Sequence, residues 1–220
     1  MLSLEKVSAT IAGISVLRGI SLALTQGSTI AIVGRNGAGK TTMLRLIMGC
    51  LPKHEGQVSF DGKDFAKVPA RDRAKYGIGY APEDRVIFPS FSVEQNLRFP
   101  LEVIGMSPSQ SNARLEETLH IVPELRPMLA RSGAALSGGQ GKMVALGRAV
   151  MVGVRVVLLD EPFQGLAPVL ASQYAGSLLR LHQARPDLCV VITESNRSLL
   201  KNIPHQAYVL ERGELQISPK

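Results

Sequence analysis

Nine consecutive residues carry the most explicit chemistry in the chain: Gly34-Arg35-Asn36-Gly37-Ala38-Gly39-Lys40-Thr41-Thr42. The glycines at 34, 37 and 39 permit backbone conformations that a Cβ would forbid, so successive N–H groups can converge on one anion. Lys40 can then reach the outer phosphates of a nucleotide, and the Thr41 hydroxyl is placed to hold Mg²⁺. A second stretch, Val156-Val157-Leu158-Leu159-Asp160-Glu161, ends an apolar run in two carboxylates. At a sheet edge Asp160 suits a hydrated Mg²⁺, and Glu161 suits polarisation of a water that attacks a γ-phosphate. The third, Leu136-Ser137-Gly138-Gly139-Gln140, sets a capping serine before two glycines, which leaves N–H groups at a helix start for another phosphate. Taken singly, each has a plainer reading: a glycine turn with a solvated lysine, a strand end meeting solvent, a capped helix.

The elements that must position these groups are legible in the hydrophobic pattern. Thr29-Ile30-Ala31-Ile32-Val33 is short and β-branched, as a buried strand is, and residues 43–48 read as a buried helix. That helix adds its unpaired N–H groups and positive dipole end to the loop. Residues 2–7 and 20–24 alternate apolar with polar and predict a small antiparallel sheet; residues 57–60 predict a strand entering an Asp61-Gly62 turn. A short polar helix is expected over 71–75 and a strand over 77–81. From 91 to 136 several prolines divide helix-forming sequence with no strand pattern, so a helical insertion is expected, with helices starting at Ser92 and spanning 109–122. Beyond it come a strand over 154–159, an amphipathic helix over 170–182, a buried strand over 188–193, and a hairpin of 208–211 with 214–217.

With 220 residues, 45% hydrophobic and 20% charged, the composition is that of a folded domain with a real core. The net charge of +7 raises nucleic acid or an anionic surface as partners. Yet the densest basic stretch (Lys63, Lys67, Arg71, Arg73, Lys75) is interleaved with Asp64 and Asp72, as on a solvated helix face, and no nucleic-acid partner is expected. Cys50 and Cys189 have no metal-ligand spacing and read as reduced cytosolic thiols. No apolar run approaches the ~20 residues of a membrane span, so a soluble protein that meets a membrane through a partner is expected.

The order of phosphate loop, helical insertion, Leu136-Ser137-Gly138-Gly139-Gln140 and acidic strand resembles the ABC-transporter ATPases over essentially the whole chain. The resemblance implies an α/β fold: a P-loop (RecA-like) core with a mostly parallel sheet, an N-terminal antiparallel β subdomain, and an inserted α-helical subdomain. The core would comprise 1–84 and 153–220, with the insertion over about 85–152. It implies ATP and Mg²⁺ as cofactors. Residues 34 to 42 would cradle the phosphates, Thr41, Asp160 and Glu83 would serve the metal, and Glu161 would orient water. Ser137, Gly138, Gly139 and Gln140 would close the ATP site of a second subunit bound head to tail. Ala81-Pro82-Glu83-Asp84-Arg85, Phe88-Pro89, Val93-Glu94-Gln95-Asn96-Leu97 and Gly165-Leu166-Ala167-Pro168 are similar to the branched-chain amino-acid and urea or short-amide uptake branch. The expected function is therefore ATP hydrolysis for an importer, at the cytoplasmic face of the inner membrane. The expected partners are permease subunits, a second ATP-binding subunit and, indirectly, a solute-binding protein.

Two positions depart from the family. An aromatic usually stacks on adenine where Ile11 stands, and a histidine, often glutamine in this branch, usually contacts the γ-phosphate where Ser195 stands. Nothing from 188 to 200 supplies an imidazole. Glu194 is adjacent, but neighbouring strand residues point to opposite faces, so it is not expected to substitute. These departures favour the alternative of a weakly hydrolysing regulatory subunit, against which the intact Glu161 counts. A DNA-repair or translation ATPase is a third reading, for which 220 residues leave no coiled-coil or tandem insertion. An aromatic under a base contributes roughly 1–3 kcal/mol where measured in nucleic-acid systems. Ile11→Tyr should accordingly tighten ATP binding by equilibrium titration and sharpen rejection of GTP; tight, ATP-selective binding by the wild type would assign the base to another residue.

Overall fold

The computed structural model describes residues 1–51, 55–201, 203 and 205–217. Its centre is a six-stranded sheet in the order β10-β9-β3-β8-β7-β6, made of Glu214–Ile217, Gln206–Glu211, Thr29–Val33, Cys189–Glu194, Val156–Asp160 and Ile78–Ala81. All neighbours run parallel except β10, which closes on β9 as the predicted hairpin. A second, antiparallel sheet has the order β2-β1-β4-β5, from Ile14–Leu24, Leu2–Ile11, Glu55–Phe60 and Lys63–Asp64.

The parallel sheet has a different core on each face, and the alternation of its strands says which. Ile30, Ile32, Val156, Leu158, Cys189 and Val191 face the antiparallel sheet and α1 (Lys40–Ile47). Ala31, Val157, Leu159, Val190 and Ile192 face a helical layer. That layer holds α3 (Val93–Val103), α4 (Pro108–Ile121), α5 (Gly138–Val152) and α6 (Pro168–Ala184); the four-residue α2 (Ala70–Arg73) lies elsewhere, before β6. With both faces covered, the central strands are apolar along most of their length, with polar residues at their ends. Serine capping boxes at Ser92, Ser107 and Ser137 start α3, α4 and α5, each satisfying two otherwise orphaned N–H groups.

The expected antiparallel strands are present but longer. β1 and β2 extend to a tight turn at Ala12 and Gly13, whose φ values of 49° and 81° are those of a left-handed hairpin turn. Register shifts after Leu4 and Val7, and the left-handed φ of 48° at Lys6, break the alternation, which is why only 2–7 and 20–24 read as strands.

β6 and α5 meet at Gly79. A Cβ there would overlap the Ala149 carbonyl and crowd the Gly153 nitrogen, all main-chain atoms that cannot rotate aside. Overpacking of this kind costs about 1–3 kcal/mol or more. Gly79→Ala should therefore lower the melting temperature by roughly 4–10 °C in calorimetry; an unchanged melt would show that α5 can slide along β6.

Candidate functional site

The parallel register brings three strand ends to one edge. β3 ends at Val33 and feeds the glycine loop, β7 ends at Asp160, and β8 ends at Glu194. In register, Val33 lies beside Glu194 and Asp160 beside Thr193. Such a carboxyl-end edge is where open α/β sheets take ligands.

In the loop, Gly37 (φ 83°) and Gly39 (φ 107°) adopt left-handed conformations. A Cβ at Gly39 would also press on Val16 and Leu17 of β2. Gly39 is the residue before α1, so Lys40, Thr41 and Thr42 are its first turn and present unpaired N–H groups. Val16, Asn36, Gly37, Gly39, Lys40, Thr41, Thr42, Glu83 and Glu161 line one cavity of about 320 Å³. Behind the loop, Arg35, Ala38 and Ser195 line another with Gly34 and β9, of about 490 Å³.

Lys40 is 5% exposed. Its Nζ donates to the Arg35 carbonyl at 3.0 Å and to that of Gly34, and stands 3.0 Å from Glu161 Oε1. Thr41 Oγ1 is 3.2 Å from Asp160 Oδ1, which also accepts from Thr193 Oγ1 at 2.7 Å. The Tyr80 hydroxyl donates to Asp160 Oδ2 at 3.3 Å, and burial raises its ionisation far above the ordinary tyrosine value. Tyr80 is therefore a fixed donor. No group of three or more His, Cys, Asp and Glu side chains with metal-site geometry occurs among the described residues. A hydroxyl beside one buried carboxylate nevertheless fits Mg²⁺, which takes one or two protein carboxylates and completes its shell with substrate phosphates and water.

Glu161 is 3% exposed and has φ 46°, a left-handed conformation that costs a glutamate about 1–3 kcal/mol. Three successive residues of one strand end hold the chain through that kink. Thr193 receives the Glu161 N–H on its carbonyl at 3.1 Å and its hydroxyl at 3.2 Å. Glu194 Oε1 accepts the Phe163 N–H at 2.8 Å. Ser195 donates both N–H (3.1 Å) and Oγ–H (3.2 Å) to Glu161 Oε2. From the other side, Lys142 Nζ donates to the Glu161 carbonyl. Burial pulls Lys142 below the ordinary lysine value, against the carboxylates of Glu194, Glu83 and Glu161.

Ser195 lies against Glu161 through its hydroxyl. Ile11 is 44% exposed on the hairpin, and Val16 rather than Ile11 lines the cavity with Lys40. Ser137 Oγ accepts the Gln140 N–H at 3.3 Å and Gln140 Oε1 the Ser137 N–H at 3.0 Å. Gly138 and Gly139 therefore supply the free N–H groups of that helix start. Glu83 lines the cavity with Thr41 and Glu161 on an exposed segment. Glu194 does point to the opposite face from its neighbours, as strand parity requires. The chain after Asp160 turns back beneath it, so the site includes it. Thr193, Glu194, Lys142 and Tyr80 were absent from the expected site. A hydroxyl and an acid at the end of an apolar strand were the available signal for the first two.

Burial pushes Glu194 above the ordinary carboxylate value of 4.5; the Phe163 N–H opposes this and the Glu161 charge adds to it. The folded chain thus holds a proton that the unfolded chain releases, and stability falls as pH rises from about 5 to 8. Glu194→Gln, with no proton to lose, should gain stability over wild type across that window in urea titrations. A constant difference between the two proteins from pH 5 to 8 would place Glu194 in a solvated, ordinary state.

The family described as ABC transporter matches residues 17–164. The branched-chain amino-acid transport ATP-binding protein BraG of Pseudomonas aeruginosa is 30% identical over 98% of this chain and 91% of its own. The lipopolysaccharide export ATP-binding protein LptB of Haemophilus influenzae is 30% identical over 98% and 88%. Among solved structures, the ADP conformation of MJ1267, an ATP-binding cassette of an ABC transporter, superposes with a TM-score of 0.78 at 27% identity, covering 98% of this chain and 89% of that one.

Proposed function

The chain belongs to the ABC transporter family of ATP-binding subunits, and we propose that it powers an importer of branched-chain or other hydrophobic amino acids, or of urea or short amides. The family makes it an ATPase that works with transmembrane permease subunits; no helix among the described residues is long and apolar enough to cross a membrane. The solute class rests on the likeness to BraG and on Gly165-Leu166-Ala167-Pro168 and Pro82-Glu83. An equal likeness to LptB leaves the direction of transport to be tested.

One observation carries the mechanism: Lys40, Thr41, Asp160 and Glu161 converge through bonds of 3.0 and 3.2 Å at a single strand edge. Phosphates seated on the glycine loop compete with Glu161 for the Lys40 amine, freeing Oε1 of the carboxylate to polarise water. Ser195 keeps Oε2 oriented meanwhile. Thr41 and Asp160, with Glu83 nearby, would hold Mg²⁺, whose charge neutralises the phosphate oxygens. In a head-to-tail pair with a second ATP-binding subunit, Gly138 and Gly139 would meet the partner's ATP. The apolar groove of Met48, Tyr80, Pro82, Val86, Pro100 and Val152, about 410 Å³, is offered for a permease helix. The subunit would then sit at the cytoplasmic face of the membrane, with a solute-binding protein acting through the permease.

A regulatory, weakly hydrolysing subunit is favoured by one feature. Ser195 turns its hydroxyl onto Glu161 and at its own position offers neither an imidazole nor an amide.

Glu161→Gln decides the matter. It should bind ATP normally, lose roughly 10²–10³ in hydrolysis rate and accumulate as an ATP-bound dimer. Lys40→Ala should fold but bind no ATP. Wild-type turnover by Glu161→Gln would move the base elsewhere, and slow wild-type turnover raised by Ser195→His would select the regulatory reading.

A further inference from the structure

Lys142 and Glu194 take no part in binding nucleotide as described above, yet both are spent on one short piece of main chain. Lys142 lies one turn into α5, and it is the only charged residue in the first ten positions of that helix. Its ammonium donates to the carbonyl of Glu161. Glu194, fully buried at the end of β8, receives the N–H of Phe163 at 2.8 Å. Among the described residues, its second oxygen, Oε2, has no hydrogen-bond partner. Both contacts come directly after the left-handed kink at Glu161, φ 46°, on the two peptide groups that flank Pro162. A left-handed glutamate persists only when its surroundings over-determine it. Here two ionisable side chains from two different elements, both partly or wholly withdrawn from water, take hold of the two peptide groups that follow it. An apolar pair at these positions would fill the space without the desolvation cost of an amine and a carboxyl.

We propose that Lys142 and Glu194 are positioning residues that brace the main chain where it leaves Glu161, one as donor and one as acceptor, and that Lys142 makes this brace depend on the position of α5. The proposal deepens the reading of Glu161 as the base that polarises water, and rests on it. α5 begins at Gly138, the helix start assigned above to the ATP of the second subunit. A displacement of that helix start therefore reaches the base of its own subunit through one hydrogen bond. The lysine stem spans the gap, and the ammonium needs only a carbonyl to hold. The two roles are chemically distinct: Lys142 acts as a donor to a carbonyl, and Glu194 as an acceptor from an amide, so each has a conservative replacement that preserves it. Arginine keeps the donor, and glutamine keeps the acceptor.

The test uses the full chain carrying Lys142→Met, Lys142→Arg, Glu194→Leu, Glu194→Gln and Glu161→Gln, and Lys142→Met combined with Glu161→Gln. Three measurements are needed: ATP affinity by titration, single-turnover hydrolysis at saturating Mg·ATP, and a nucleotide-free crystal structure of Lys142→Met. Lys142→Met and Glu194→Leu should keep ATP affinity within about twofold and lose about tenfold to a hundredfold in rate, the cost of a misplaced catalytic group. Lys142→Arg and Glu194→Gln should recover most of the rate. In the Glu161→Gln background, Lys142→Met should add no further loss, because it acts through the carboxylate that is already gone. The crystal structure should show the Glu161 peptide turned out of its left-handed conformation, a readout independent of the basal rate. A folded Lys142→Met with wild-type turnover and an unmoved peptide overturns the proposal, as does an equal loss in the Glu161→Gln background. Parallel loss of ATP affinity and rate, unrelieved by arginine, would make Lys142 a packing residue and overturn it too. Should Lys142→Met fail to fold, the Glu194→Leu and Glu194→Gln pair decides by the same measurements. Undiminished hydrolysis by Glu161→Gln is a separate outcome, which removes the assignment of the base itself.

Discussion

The structure depends on the pairing of β8 with β7 at their carboxyl ends. Asp160 is opposite Thr193, and one hydroxyl serves both the acid that ends β7 and the N–H of the residue beyond it. A slip of either strand by one residue would turn all of its side chains to the other face. Asp160 would then leave the side of α1, or Glu194 the helical layer, according to which strand slipped. The register is fixed by burial, because Val156 and Leu158 belong to one core and Val157 and Leu159 to the other. Positioning of the site groups therefore has its energetic source in some ten apolar side chains that touch no ligand, each contributing on the order of 1.5–3 kcal/mol on burial.

A consequence is that strain at Glu161 is affordable. Its left-handed backbone comes directly after five buried strand residues and is followed by the buried Phe163, whose ring packs edge-on to Tyr174 of α6 at 5.3 Å between centroids. Chain on both sides of the kink is thus anchored by packing. The hydrogen bonds accepted by Thr193 and Glu194 and donated by Ser195 and Lys142 have only to set the direction of one carboxylate. This division of labour is common where a strained residue sits at a functional site.

The core of this arrangement was legible because it follows from local rules. A β-branched run before a glycine loop, an apolar run ending in Asp160-Glu161, and a serine three residues before Gln140 each state their own geometry. The grip on Glu161 was not legible, since it joins residues 19 to 34 positions apart and depends on where the chain turns after β7. Strand parity correctly put Glu194 on the face away from Asp160; parity alone could not show that the following loop returns beneath it. Lys142 was hidden for another reason. On a helix whose next four residues are all buried and apolar, a lysine reads as an exposed interruption, whereas its long stem carries the charge back to the sheet edge. The extensions of β1 and β2 were missed because bulges disrupt the period that reveals a strand.

α5 has an unusual combination of ends and middle for a helix so deeply packed. Its start is polar and open, with Ser137 and Gln140 capping each other and Gly138 and Gly139 bare. Its body is buried from Met143 to Leu146 against the helical core, and Arg148 donates to the carbonyls of Arg85 and Val86. Those two residues are themselves left-handed, with φ of 65° and 43°, and Arg85 returns a bond to Gly138 at 3.1 Å. The segment that follows Glu83 is therefore tied at both ends to the same helix. Glu83 faces the cavity with Thr41, and Val86 faces the apolar groove. A rigid helix held this way cannot move its start without moving the segment between the nucleotide cavity and the groove, because closely packed cores shift between discrete arrangements instead of deforming smoothly. The polar bonds of Arg85 and Arg148 provide the connection, and the apolar body of α5 makes it stiff.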